Sequence, residues 1–191
     1  MGVMSRWEPN ARGRLEQAAL ALYVERGFEQ TTVAEIAKRA GLTERTFFRH
    51  FADKREVLFW GAGDLQELLV STLASAPDSA APIDAVAAAV EAVETVFAER
   101  REFARQRQRV IAANVELQER ELIKLATLSA ALAGVLRRRG VADPAAELAA
   151  EAGIAVFKLA FQRWVDPDNQ QAFGALVRES LAELKAVTAG K

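Results

Sequence analysis

The chain has 191 residues, no cysteine and one histidine, His50, with 25 Lys/Arg against 26 Asp/Glu. Disulfides, thiolate metal sites and His-cluster metal sites are excluded, and a His-based catalytic triad has almost no material to work with. Ala, Leu, Glu, Gln, Lys and Arg dominate, no alternating strand pattern appears, and an all-α fold is expected. No enzyme activity, cofactor or metal is expected. Residues 1–14 lack the apolar run of a secretory leader, and charge interrupts every apolar stretch before it reaches membrane-spanning length. A cytoplasmic protein without membrane contact is expected. The first 60 residues hold ten Lys/Arg against eight Asp/Glu, and the remainder 15 against 18. That asymmetry points, weakly, to a nucleic-acid-binding head.

Residues 1–8 read as a loose arm, and Pro9 suits the first turn of a helix. That helix runs to about Arg26, with Leu15, Ala19, Leu22 and Tyr23 as its buried stripe and Gly27 as its stop. Thr32-Val33-Ala34-Glu35 is a capping box opening a short helix that ends at Ala40-Gly41. Thr43 caps the next helix, about Glu44 to His50. Asp53-Lys54-Arg55-Glu56 reads as another capping box and opens a long helix with Val57, Leu58, Gly61, Leu65, Leu68, Leu69 and Thr72 on its inner face. Pro77 to Pro82 breaks the chain. Helices follow near 83–99, 101–113, 115–139, 144–166 and 169–188. About nine helices result, divided into a head over residues 9–54 and a body over 55–188.

The segment 32–51 carries the chemistry. Two short helices joined by a tight glycine-containing turn form a helix-turn-helix, in which Ile36 and Ala37 must meet Phe47 across the turn. Gly41 takes the turn conformation that a Cβ disfavours. The start of the second helix enters the major groove and needs short or basic side chains there. The run Gly27-Phe28, Thr31-Thr32-Val33, Ile36-Ala37, Ala40-Gly41-Leu42-Thr43, Arg45-Thr46-Phe47-Phe48-Arg49-His50-Phe51, Asp53-Lys54, Leu58 closely resembles the N-terminal signature of TetR-family regulators. The stretch from Arg107-Gln108-Arg109-Val110-Ile111 to Arg163-Trp164-Val165 resembles the C-terminal domain of regulators found with the mycofactocin system. The resemblance implies a three-helix DNA-binding head followed by a helical ligand-binding and dimerisation domain. It also implies a regulator, by family precedent a repressor, released from a palindromic operator by a small molecule. The alternatives are a helical ligand-binding protein and an architectural DNA binder without effector. The family usually has Tyr where this chain has Phe48, which removes one hydroxyl donor to a phosphate.

Phosphate contacts position a protein on DNA, and base contacts specify the sequence. Thr32 and Thr43 stand at helix N-termini, where phosphate is favoured. Lys54 falls in the first turn of the expected long helix, again at an anion-favouring end. His50 either donates to a phosphate or is a half-buried ring. Arg45 suits guanine O6/N7, Thr46 a thymine methyl, and Arg49 a base or a phosphate.

In the body, helix 144–166 is apolar on nearly every side. Its stripe Ile154, Phe157, Phe161 and Trp164, with Phe173, Val177 and Leu181 of the last helix, is assigned to a four-helix homodimer interface. The other reading packs both helices on their own body. Phe97, Phe103, Arg107, Val110 and Asn114 are assigned to a pocket for a small apolar or amphipathic effector. The bland reading pairs Arg107 with Glu94 or Glu116 and makes Asn114 a helix cap. The expected partners are therefore double-stranded operator DNA, a second copy of the chain, and that effector.

Overall fold

The computed structural model describes residues 10–190; Pro9 and the arm before it lie outside the described residues. The first helix, α1 (Ala11–Arg26), opens at Asn10, whose side chain accepts from Gly13 N at 2.9 Å. It buries Leu15, Ala19, Leu22 and Tyr23 as its periodicity demands, together with Glu16. Two short helices follow, α2 (Val33–Arg39) and α3 (Glu44–His50).

Glu56–Phe59 is a 3-10 turn, and α4 (Ala62–Ala74) starts only after Trp60 and Gly61. The continuous helix expected from Lys54 is thus absent. Two physical causes act together. Val57, Leu58 and Phe59 are all buried, and three consecutive positions span about 200° of an α-helix, too wide for one stripe. The Leu58 carbonyl, which an α-helix would give to the residue four ahead, instead accepts from Arg107 Nε at 2.7 Å.

The body continues with α5 (Pro82–Ala92), the single turn α6 (Glu94–Phe97), α7 (Arg101–Ala112), α8 (Val115–Arg138), α9 (Asp143–Val165) and α10 (Phe173–Thr188). The expected helix 83–99 is interrupted at Val93. The Thr95 hydroxyl donates to the Ala92 carbonyl at 2.9 Å, and Glu94 turns away to accept Gly174 N at 3.0 Å at the start of α10. Counting α5 and α6 as one interrupted helix, nine helices are described.

Two apolar cores result. The head core joins α1, α2, α3 and the 3-10 turn, and takes in Val110, Ile111 and Leu117 from the α7–α8 elbow. The body core joins α4, α5, α8, α9 and α10 with Ala104 of α7. Helix α9 runs through the middle, packed on α5, α8 and α10. At its tightest point an ideal Cβ on Gly153 would lie 2.2 Å from Cγ1 of Val86, so only glycine fits this crossing.

Candidate nucleic-acid interface and head–body junction

The capping box at α2 forms as its sequence requires. Glu35 N donates to the Thr32 hydroxyl at 3.3 Å, and the Glu35 carboxylate accepts from Thr32 N at 2.9 Å. The Thr32 hydroxyl also donates to Glu35, at 2.9 Å, so its proton is already committed. Those Thr32 donors hold the Glu35 carboxyl below the usual range. The turn is closed by Leu42 N donating to Ala37 O at 2.8 Å. Gly41 sits at φ +67°, and Arg14, which donates to the Ala40 carbonyl, crowds the place of its Cβ. At α3 the Thr43 hydroxyl accepts from Thr46 N at 3.2 Å and lies 3.1 Å from the Thr46 hydroxyl. Ile36, Ala37 and Phe47 all enter the head core.

With Phe47 locked inward, the opposite face of α3 presents Arg45 and Arg49. Both are exposed, and among the described residues neither has a carboxylate partner. Their neighbours differ. Arg26 pairs with Glu35 at 2.8 Å, Arg39 with Glu25 at 2.6 Å, and Arg55 with Asp53 at 2.7 Å. Phe48 is 55% exposed, its ring held edge-on to Phe47 at 5.4 Å. Arg45, Thr46, Phe48 and Arg49 border one open concavity at the tip of the head. His50 is half-buried with Nε2 unpartnered. Burial, then Arg49 and Arg12, push its pKa down.

Lys54 stands in another setting than the expected helix start. Its ammonium donates to the carbonyls of Phe28, Glu29 and Thr31 at 2.9, 3.3 and 3.1 Å and lies 4.4 Å from the Phe28 ring. Its own carbonyl accepts from the Tyr23 hydroxyl at 2.7 Å. All three ammonium protons are engaged in clamping the α1–α2 loop.

The five residues assigned to an effector pocket do not converge. Phe97 is in the body, stacked on Trp164 at 5.1 Å and touching Phe157, Phe161 and Phe173. Phe103 and Val110 pack against the head core. Arg107 crosses the junction, bonded to Leu58 O, 3.4 Å from Glu121 and 4.9 Å from the Phe59 ring. Its carboxylate partner is therefore Glu121, neither Glu94 nor Glu116. Burial lowers its pKa, and Glu121 opposes that shift. Asn114 donates to Val110 O at 2.6 Å. Phe103, Arg107, Val110 and Asn114 share one stripe of α7 and its end, but that stripe turns to the head, whereas Phe97, on another helix, joins the body core.

The stripe assigned to the dimer interface also turns inward. Ile154, Phe157, Trp164, Phe173 and Val177 are buried in their own body, Phe161 packs half-buried against it, and Leu181 is half-buried. The aromatic cluster around Phe97 supplies the reason: the largest rings of α9 and α10 find one another within one chain. The outward face of α9 instead carries Leu148 (70% exposed), Ala155, Leu159 (46%) and Gln162, at spacings of seven, four and three. That of α10 carries Ala175, Ala182 and Ala186.

Sequence reasoning missed several contacts at the junction. Arg100 pairs with the buried Glu16 at 2.9 Å, and Arg120 and Lys124 both reach Glu56, the latter at 3.4 Å. A carboxylate on the inner stripe of α1 was the available signal for the first; nothing in the spacing signalled the second. Among the described residues no helix is long and apolar enough to cross a membrane.

A helix-turn-helix head with a bared arginine face, set on a larger helical body, defines a DNA-binding regulator of the helix-turn-helix class. The family model "Bacterial regulatory proteins, tetR family" matches residues 16–59, and the model "MftR C-terminal domain" matches residues 80–189. The chain belongs to the TetR family, with a C-terminal domain of the MftR type. It is 36% identical over 92 residues to the HTH-type transcriptional regulator TcmR of Streptomyces glaucescens, covering 48% of this chain and 41% of TcmR. It is 43% identical over 47 residues to the HTH-type transcriptional repressor KstR2 of Mycobacterium tuberculosis, covering 25% of this chain and 24% of KstR2. The matches therefore span less than half of these relatives' length. Among solved structures, a transcriptional regulator from Pseudomonas aeruginosa superposes with a TM-score of 0.66 at 22% identity, covering 97% of this chain and 94% of its own. FadR from Bacillus subtilis, solved in complex with stearoyl-CoA, gives 0.63 at 21% identity, covering 90% and 96%. These similarities establish the fold.

Proposed function

We propose that the chain is an operator-binding transcription repressor, acting as a two-fold homodimer and released by a small apolar or amphipathic effector. The observation that carries the reading is the bared pair Arg45 and Arg49 on the outer face of α3, in a head that neutralises Arg26, Arg39 and Arg55 locally. Arginines one helical turn apart, backed by a rigid Phe47, suit guanine edges in the major groove. Thr46 beside them suits a thymine methyl, and Thr43 and His50 flank the helix where phosphates run. Phe48 adds an apolar contact in place of a hydroxyl. Lys54 and Thr32 serve the head from within.

Repression is supported by the name of KstR2. An effector is supported by same-fold structures solved with stearoyl-CoA and with triclosan, the latter SmeT, at 22% identity and a TM-score of 0.62 over 91% of this chain and 90% of its own. Ala104 of α7 lies in the body core, and Gln108, one turn on, has a buried side-chain oxygen without a partner. Gln108 replaces Arg107 as our candidate for the polar group that meets the effector, because Arg107 is fully engaged. Dimerisation is assigned to the outward faces of α9 and α10.

Two heads related by a two-fold axis require half-sites about 34–36 Å apart, or a multiple of that. The test is footprinting on genomic fragments, then titration of the footprinted duplex. Arg45→Ala should lose roughly 1–3 kcal/mol on that duplex and relax preference at one position per half-site. Equal loss on specific and random duplexes would remove α3 as the reading helix. No footprint at any concentration would remove operator binding altogether.

A further inference from the structure

Helix α3 carries two adjacent phenylalanines with opposite surroundings. Phe47 is fully buried and, with Phe51, supplies the aromatic part of the head core. Phe48 follows it by about 100° around the helix and stands out from the surface. It is the one exposed large apolar side chain among the described residues of α2, α3 and the turn between them. Keeping that ring in water is unfavourable. The ring is also fixed in place: it stands edge-on to Phe47, with centroids 5.4 Å apart and planes at 81°. A ring already held loses little freedom when a partner arrives.

Its neighbours define that partner. Arg45 lies one turn before Phe48 and Arg49 directly after it, both exposed and, among the described residues, without a carboxylate. With Thr46 they border the same open concavity as the Phe48 ring. An apolar ring between two unneutralised guanidinium groups fits a surface that is anionic overall but carries isolated apolar groups. The major groove is such a surface, and its one apolar feature is the C5 methyl of thymine, a group that 5-methylcytosine also carries. That methyl projects from the base edge beside the backbone, where the short benzyl group meets it while the longer arginine arms pass on to guanine edges. A tyrosine hydroxyl here would bond the adjacent phosphate; Phe48 has only its ring to offer. Thr46 is half-buried, with its hydroxyl 3.1 Å from that of Thr43, so Phe48 stands further out than Thr46 does.

We propose that Phe48 reads the C5 methyl of one pyrimidine per half-site, so that thymine or 5-methylcytosine is bound in preference to uracil or cytosine at that position. This rests on the operator-binding reading above and adds a specificity determinant to it.

The test uses the full-length chain and the footprinted duplex. Each thymine is replaced in turn by deoxyuridine, at the same position of both half-sites, and each cytosine in turn by 5-methyldeoxycytidine. Each replacement removes or adds one methyl group and leaves the base's donors and acceptors in place. Burial of one methyl corresponds to about fourfold in affinity, and so to about fifteenfold over two half-sites. If thymine is the source, one deoxyuridine position should lose about fifteenfold; if 5-methylcytosine is the source, one methylated position should gain as much. Phe48→Ala should weaken binding to the methyl-bearing duplex and bind it and its methyl-free counterpart equally. Phe48→Leu, which keeps a shorter apolar group, should retain part of the difference and serves if Phe48→Ala fails to fold. The base replacements alone test the parent chain and need no variant. A parent that binds every modified duplex as tightly as the unmodified one overturns the proposal, as does a methyl difference that persists in full in folded Phe48→Ala or Phe48→Leu. Absence of binding to any duplex removes the operator-binding reading instead.

Discussion

Replacing Lys54 by Met would remove an ammonium that donates to three loop carbonyls at 2.9, 3.3 and 3.1 Å while keeping the aliphatic stem against Phe28. Hydrogen bonds from a charged group contribute roughly 1.5–3 kcal/mol net. The group is only half-buried and one of its contacts is long, so the lower part of that range applies, about 2 kcal/mol. For a chain of this size that lowers the melting temperature by about 4–8 °C. The loss should concentrate in the head, because the three carbonyls belong to the α1–α2 loop. Scanning calorimetry reads the first effect, and amide exchange over residues 28–33 reads the second. The salt dependence of operator binding should keep its slope, since each lost phosphate contact on duplex DNA would reduce it by about 0.9. An unchanged melting temperature together with a slope shallower by about 0.9 would refute the clamp and return Lys54 to the DNA backbone.

Two further outcomes test the body. Gly153→Ala should destabilise by about 1–3 kcal/mol, because its methyl would meet a fully buried β-branched Val86, and calorimetry reads it directly. Leu159→Glu should give a folded monomer in sedimentation. Phe161→Glu should instead lower the melting temperature by unpicking the aromatic cluster, so a folded monomer from Phe161→Glu and an unaffected dimer from Leu159→Glu would reverse the face assignment.

The caps and the turn of the head were legible because their determinants are local, whereas the role of Lys54, which reaches back to residues 28–31, was not. Thr32 and Glu35, Thr43 and Thr46, and Gly41 each act within four residues, and caps and turns form from such spacings alone. The face of α3 followed once Phe47 was placed inward. The junction was not legible, for the opposite reason. Arg107 and Leu58 are 49 residues apart, and Glu56 and Lys124 are 68 apart. No periodicity distinguishes an arginine that will capture a distant carbonyl from one that will face a ligand. The same limit misdirected the dimer stripe. Periodicity identified two apolar faces on α9 and gave no means of ranking them. Phe97, which lies 46 residues before the start of α9 in the chain, decided which face turned inward.

The pairing pattern in the head bears on how it would read DNA. Net charge suggests little affinity for a polyanion, and the head's own excess is only two. Placement matters more than the sum. Arg26, Arg39 and Arg55 are neutralised by carboxylates within the head or next to it, and Lys54 and Arg14 donate to backbone carbonyls. Arg12, Lys38, Arg45 and Arg49 are left exposed, and among the described residues none of the four has a carboxylate partner. Two of these four stand together on the face of α3 suited to base edges. Sequence-independent affinity scales with the number of phosphates neutralised, whereas discrimination depends on contacts to bases. A head that ties up Arg26, Arg39 and Arg55 and carries Phe48 in place of a hydroxyl should therefore lose more affinity for random DNA than for an operator. Weak individual heads would then make the spacing between two heads decisive for occupancy.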